Sequence, residues 1–144
     1  MSESHVEDNA VERRRLVQLT EGWTDAELAR ELGKGWSVAT KLLHLAFWDQ
    51  YAAALIRKWK RDGLTESPFD TDALNEAIRV LSRAVAPQAV VALARSAADE
   101  VDREVEEVAP ELRAAIEKKG RSRALCRSVH RRAHLDQIES ALRA

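Results

Sequence analysis

Hydrophobic positions recur at helical spacing along almost the whole chain. No segment alternates apolar and polar residues with the period of two that a half-buried strand requires, so strands are not expected. The first helix is predicted over residues 6–20, where Val11, Leu16 and Leu19 form a stripe among charges. Thr24-Asp25-Ala26-Glu27 has the spacing of a capping box and predicts a short helical stretch through Leu32, broken by Gly33-Lys34-Gly35. Ser37 reads as the N-cap of a long helix that reaches about residue 61 and stops at Asp62-Gly63. Its predicted inward stripe is His44, Trp48, Tyr51, Leu55 and Trp59, flanked by Leu45 and Ala52. Gln50, Arg57, Lys60 and Arg61 lie opposite.

The segment LTESPFDTD reads as a linker, and Asp70 or Thr71 as the cap of a helix through LNEAIRVLSRAV. Pro87 suits a first helical turn, so another helix is predicted from there to about residue 108. Pro110 opens a short piece ending at Lys119-Gly120, and the last helix is predicted over residues 122–142. Its inward stripe reads as Cys126, His130, Ala133, His134, Gln137, Ile138, Ala141 and Leu142. Four main helices with short accessory ones predict an all-α four-helix bundle. The sequence distance from the second main helix to the last suggests a long crossover connection. One domain is expected over residues 1–144, with 1–5 frayed.

Composition changes this picture little. The 144 residues are 45% hydrophobic and 33% charged, as in ordinary globular domains. A chain of this length buries about two-thirds of its unfolded surface. A formal charge of −1 gives no global attraction to a phosphate backbone, so nucleic acid is not an expected partner. The single cysteine, Cys126, leaves no internal disulfide to form. The polar N-terminus lacks the apolar core of a secretory signal, and no apolar run approaches the ~20 residues of a membrane span. A cytoplasmic protein is expected.

Histidine carries the candidate chemistry. Of the 4 histidines, His44 falls on the second main helix, and His130 and His134 fall one turn apart on the last. Residues four apart share a helical face, so this pair can point two imidazoles at one spot while His44 arrives from another helix. Three neutral imidazoles converging in a bundle can hold a divalent transition metal and leave positions open for water or substrate. The plainer alternative is three packing histidines. Because neutral imidazole is the ligand form, such a site is expected to lose metal below the ordinary histidine pKa of about 6.5. His5 is given no role.

Neighbouring residues admit two readings each. Cys126 is either a small packing residue or a further thiolate ligand. Since Cys126 and His134 span roughly 12 Å of helix axis, the former is favoured. Trp48 and Tyr51 either pack in the core or wall a substrate pocket beside His44. Arg127 and Arg131 either pair with the acidic run ADEVDREVEEVAPE or bind a carboxylate of a substrate or thiol. Asp49, Asp136 and Glu139 are candidates for orienting the imidazoles.

The block GWSVATKLLHLAFWDQ resembles the start of the second helix of DinB/YfiT-like proteins, where a GWS turn leads into a helix bearing a metal-binding histidine. HRRAHLDQIESAL is similar to the fourth-helix signature of the same superfamily, with order and spacing preserved over essentially the whole chain. Among its members, the chain most resembles DinB-like proteins related to the N-terminal domain of mycothiol-dependent maleylpyruvate isomerase. The resemblance implies a four-helix bundle of DinB/YfiT-like topology and a divalent metal, zinc or nickel, on His44, His130 and His134. It also implies a homodimer and a reaction with a low-molecular-weight thiol such as mycothiol or bacillithiol. Three histidines stand here in place of the isomerase's two histidines and a carboxylate.

On this basis a thiol-dependent transferase or isomerase acting on a small molecule is expected, with the open metal activating the thiol. The alternatives are a metal-dependent hydrolase using the same site and a non-catalytic dimeric bundle that binds a metal or small molecule.

Overall fold

The computed structural model describes residues 2–66 and 68–144, with side chains from His5 onward. Four long helices form the bundle: α1 (Ser2–Glu21), α3 (Val38–Asp62), α5 (Pro87–Glu106) and α7 (Ser128–Arg143). Between them lie α2 (Asp25–Leu28), strands β1 (Glu31–Gly33) and β2 (Trp36–Ser37), α4 (Thr71–Ser82), α6 (Pro110–Lys118) and a single 3-10 turn at Ser122–Ala124. No helix of the described residues is long and apolar enough to cross a membrane.

Local chemistry sets most boundaries. The Thr24 side chain accepts from the Glu27 amide while Glu27 reaches back to the Thr24 amide, which starts α2. Ser37 caps α3 through the Thr40 amide, and Asp70 caps α4 through the Ala73 amide. Prolines open α5 and α6, and Gly63, at φ 87°, ends α3. α1 starts at Ser2, earlier than periodicity predicts, and α7 starts at Ser128, later than predicted.

The expected absence of strands is corrected by the small antiparallel hairpin. Glu31 pairs with Ser37 and Gly33 with Trp36 across a turn in which Gly33, Lys34 and Gly35 all have positive φ. Strands this short show no period, so only the glycines announced the turn. A Cβ at Gly35 would also stand 3.0 Å from the Arg79 guanidinium. The hairpin delivers Trp36 and the cap Ser37 to the start of α3.

α1 packs on α5 and α7, and α3 packs on the same two helices. Pairings give the directions. Asn9 reaches Arg127 and Ser128 while Arg15 reaches Glu139, so α1 and α7 run parallel. Gln50 reaches Glu100 and Lys60 reaches Glu104, so α3 and α5 also run parallel. Parallel neighbours cannot be joined by a tight turn. Residues 63–86, with α4 among them, therefore return the chain along α3, which spans roughly 37 Å. A long crossover is present as expected, but it joins the second and third long helices and not the second and the last.

The apolar core falls into two blocks. One gathers Leu16, Val38, Leu42, Leu45, Val90, Leu135 and Ile138. The other gathers Ala53, Ile56, Trp59, Val101, Val105, Ile116 and Leu125. Each long helix also carries a buried polar residue: Asn9 on α1, Asp49 on α3, Asp102 on α5 and Arg131 on α7. The buried stripe of α3 is Val38, Leu42, Leu45, Asp49, Ala52, Ile56 and Trp59, and that of α7 is Ser128, Arg131, Leu135 and Ile138. The predicted stripes hold at His44, Trp59 and Ile138 but elsewhere stand one residue out of phase, about 100° of rotation. Ala133 and Gln137 are exposed, and Trp48, Tyr51, Leu55, His130 and His134 sit half-buried on the flanks. Asp49 and Arg131 hold the centre of the seam as a buried ion pair, which turns the histidine-bearing positions toward the flanks.

Candidate metal centre

α3 and α7 run antiparallel, and their shared seam positions the histidines. α7 carries no capping side chain of its own at its N-terminus. Asn9 of α1 supplies the acceptor instead: its Oδ1 receives the Arg127 and Ser128 amides at 2.8 and 2.9 Å, while its Nδ2 donates to the Leu125 carbonyl at 2.8 Å. Arg131 then fixes the rotation of α7. Its guanidinium donates to both Asp49 on α3 and Asp102 on α5, and to the Asn9 carbonyl. Arg127 donates to Asp49 at 2.9 Å, and Arg13 completes the network on Asp102. Burial works against the Arg131 charge, but Asp49 and Asp102 outweigh it and hold its pKa above the ordinary arginine value.

With the helices so locked, His44, His130 and His134 converge. One ring nitrogen from each lies within 4.8 Å of the others. The Nε2 atoms of His44 and His130 are 3.0 Å apart, and the three ring centroids are 4.7–4.9 Å from one another. Trp36 meets the His44 ring edge-on at 5.6 Å, and Trp48 at 6.5 Å.

Burial, with His134 and Lys41 adding to it, pushes the His44 pKa down to about 3. Burial, His134 and Arg127 push His130 to about 2. Burial and Lys41 lower His134, against the hydrogen bond to Gln137. All three imidazoles are thus neutral near pH 7, the state a metal requires. The proton competition expected near 6.5 is displaced to lower pH.

The donor set fits a divalent ion. Nitrogens sharing one tetrahedral metal at about 2.1 Å stand roughly 3.4 Å apart. The His44–His130 separation is already of this order, and small ring rotations bring in His134. Among the described residues the buried Nδ1 atoms of His44 and His130 have no hydrogen-bond partner, so neither tautomer is fixed from behind and both Nε2 lone pairs can face one cation. The His134 Nδ1–H donates to Gln137 Oε1 at 3.3 Å, which leaves its Nε2 as the acceptor.

The structure sorts the other expected residues. Cys126 lies outside the cluster, before α7, with its Sγ 3.6 Å from Ser128 Oγ. Arg127 is paired with Asp49 and Arg131 with Asp49 and Asp102, the last a member of the acidic run, and Arg131 is 0% exposed. Asp49 therefore holds arginines and not an imidazole, while Asp136 and Glu139 both pair with Arg15. Trp48 does stand beside His44 and donates its indole N–H to Asn75 of α4. Tyr51 packs behind it on Trp48 and Phe69, away from the imidazoles.

Sequence reasoning missed Asn9, Lys41, Asn75 and Gln137. Gln137 and Lys41 each stand three residues from a histidine, a spacing that brings side chains together on a helix. Asn9 and Asn75 carried no such signal.

The molecule is thus a four-helix bundle with a three-histidine cluster on one seam, one histidine from α3 and an i, i+4 pair from α7. The family model of the DinB superfamily matches residues 10–138, and the chain belongs to that superfamily. Neither curated proteins nor solved structures give a match.

Proposed function

We propose that this chain is a cytoplasmic metalloenzyme in which His44, His130 and His134 hold zinc or nickel for a thiol-dependent transfer or isomerisation. The observation that carries the reading is the convergence of three neutral ring nitrogens within 4.8 Å on helices locked by buried polar contacts. No other His, Cys, Asp or Glu of the described residues joins the set, so coordination positions stay open to a small molecule. When bound, the ion supplies Lewis-acid activation of a thiol at neutral pH. The protein's own part is to hold the imidazoles neutral, orient His134 through Gln137, and cover one side of His44 with Trp36 and Trp48. The homodimer implied by the resemblance belongs to the same reading and is checked by sedimentation equilibrium.

Elemental analysis of untagged protein tests the site, with His130→Ala/His134→Ala prepared in parallel. The expected result is about one transition metal per chain, lost in the double variant. A panel of low-molecular-weight thiols and electrophiles then tests the reaction. Protein that carries no metal and takes none up on titration would overturn the reading.

A further inference from the structure

The charges around the histidine cluster are unevenly matched. Arg127 and Arg131 are neutralised by Asp49 and Asp102. Lys41 is not. It stands one turn before His44 on α3, half-buried, with its ammonium 4.4 Å from the centre of the Trp36 ring. That ring in turn lies 5.6 Å from His44. Lys41 makes no ion pair among the described residues, and burial alone shifts its titration, downward. Its charge adds to the lowering of both the His44 and the His134 pKa, in keeping with its seat on the Trp36 ring that borders His44.

A metal on three neutral imidazoles keeps its full double charge, because no carboxylate stands among the ligands. Lys41 adds a further positive charge beside it. Trp36 holds this ammonium by a cation–π contact, an attraction that leaves its hydrogen-bond donors unused. A site so composed favours an anion, and one with two separated acceptors can use the metal and the ammonium together.

We propose that Lys41 is the anion-recognising residue of this site and binds the carboxylate of a small thiol or substrate whose other end meets the histidine cluster. The inference rests on the metal reading above and names the chemical class of ligand. It also moves carboxylate recognition from the arginines of α7 to the lysine of α3.

The test loads the protein with Co²⁺ and follows thiolate absorption while adding either mercaptoacetate or 2-mercaptoethanol, thiols that differ in the carboxylate. Wild-type protein is expected to prefer mercaptoacetate by about tenfold or more. Lys41→Met keeps the apolar stem on Trp36 and should lose most of that preference, with 2-mercaptoethanol binding unchanged; Lys41→Arg should keep it. Preference retained in Lys41→Met means that the thiol's carboxylate reaches the metal itself, which overturns the role of Lys41. Equal weakening of both thiols assigns Lys41 to packing and overturns it too. Failure of wild-type protein to take up Co²⁺ overturns the metal reading and this inference with it, whereas uptake without carboxylate preference overturns this inference alone.

Discussion

Asp49 and Arg131 meet at the centre of the α3–α7 seam, Oδ2 to Nη2 3.1 Å apart, with side chains 2% and 1% exposed. Each sits on the apolar stripe of its helix, where a hydrophobic residue would be expected. Breaking a buried ion pair strands a charge and costs about 3–5 kcal/mol, whereas replacing charge by packed apolar groups is often tolerated. The network here is asymmetric. Among the described residues Asp49 is the one carboxylate of Arg127 and also serves Arg131, while Asp102 is shared by Arg131 and Arg13.

Removing Asp49 therefore leaves Arg127 unpaired and Arg131 half-paired, but removing Arg131 leaves each carboxylate one arginine. Asp49→Ala is expected to destabilise by about 3–5 kcal/mol and Arg131→Met by distinctly less. Urea denaturation of the two variants decides the order, and a larger loss for Arg131→Met would refute this account of the network.

Asn9 predicts a second effect at a distance. Its side chain satisfies two amides and a carbonyl around the start of α7, all 116 to 119 residues away in sequence. Asn9→Leu keeps the volume and strands those groups, for an expected loss of about 2–3 kcal/mol. Asn9→Asp keeps the acceptor at the helix N-terminus and should lose less. Hydrogen exchange supplies the local signature: amides in the first turn of α7 should exchange faster in Asn9→Leu, while those of α5 follow only the global change. Uniform acceleration would mean that Asn9 matters only as core volume.

The reach of the sequence is uneven for the same reasons. Caps and breaks are local events, so Thr24, Ser37, Asp70, Pro87 and Pro110 announced their helices correctly. The histidine cluster was legible because His130 and His134 share one helix face and because the GWS and HRRAH blocks resemble a known family. Stripe phase was not, since a charge buried against a partner over seventy residues away looks like surface until that partner is seen. The pairing of Asn9 with α7 is likewise purely tertiary.

Stability of the metal-free protein should depend on pH with a definite sign. His44 and His130 titrate at about 3 and about 2 in the folded protein, below the ordinary value near 6.5 that applies when unfolded. Between those limits the unfolded chain binds more protons, so stability is full above about pH 6.5 and falls as pH drops toward 3. Urea midpoints at pH 8, 6.5, 5 and 4 are expected to be level at first and then to fall. Replacing His44 and His130 together by glutamine should flatten the curve, and an unchanged slope would assign the effect to other groups.

The same neutrality bears on metal uptake. Three imidazoles with ordinary pKa values would be mostly protonated at pH 6 and would release about two protons when a metal bound. In the folded chain His44 and His130 are already neutral at that pH, and burial lowers His134 as well. Calorimetric titration of Zn²⁺ into metal-free protein at pH 6, in buffers of different ionisation enthalpy, counts the protons. Fewer than one is expected, with an affinity nearly level between pH 7 and pH 6. Release of about two protons would show that the imidazoles stand open to water before the metal arrives, and the packing of Trp36 and Trp48 around His44 would then not be what prepares the site.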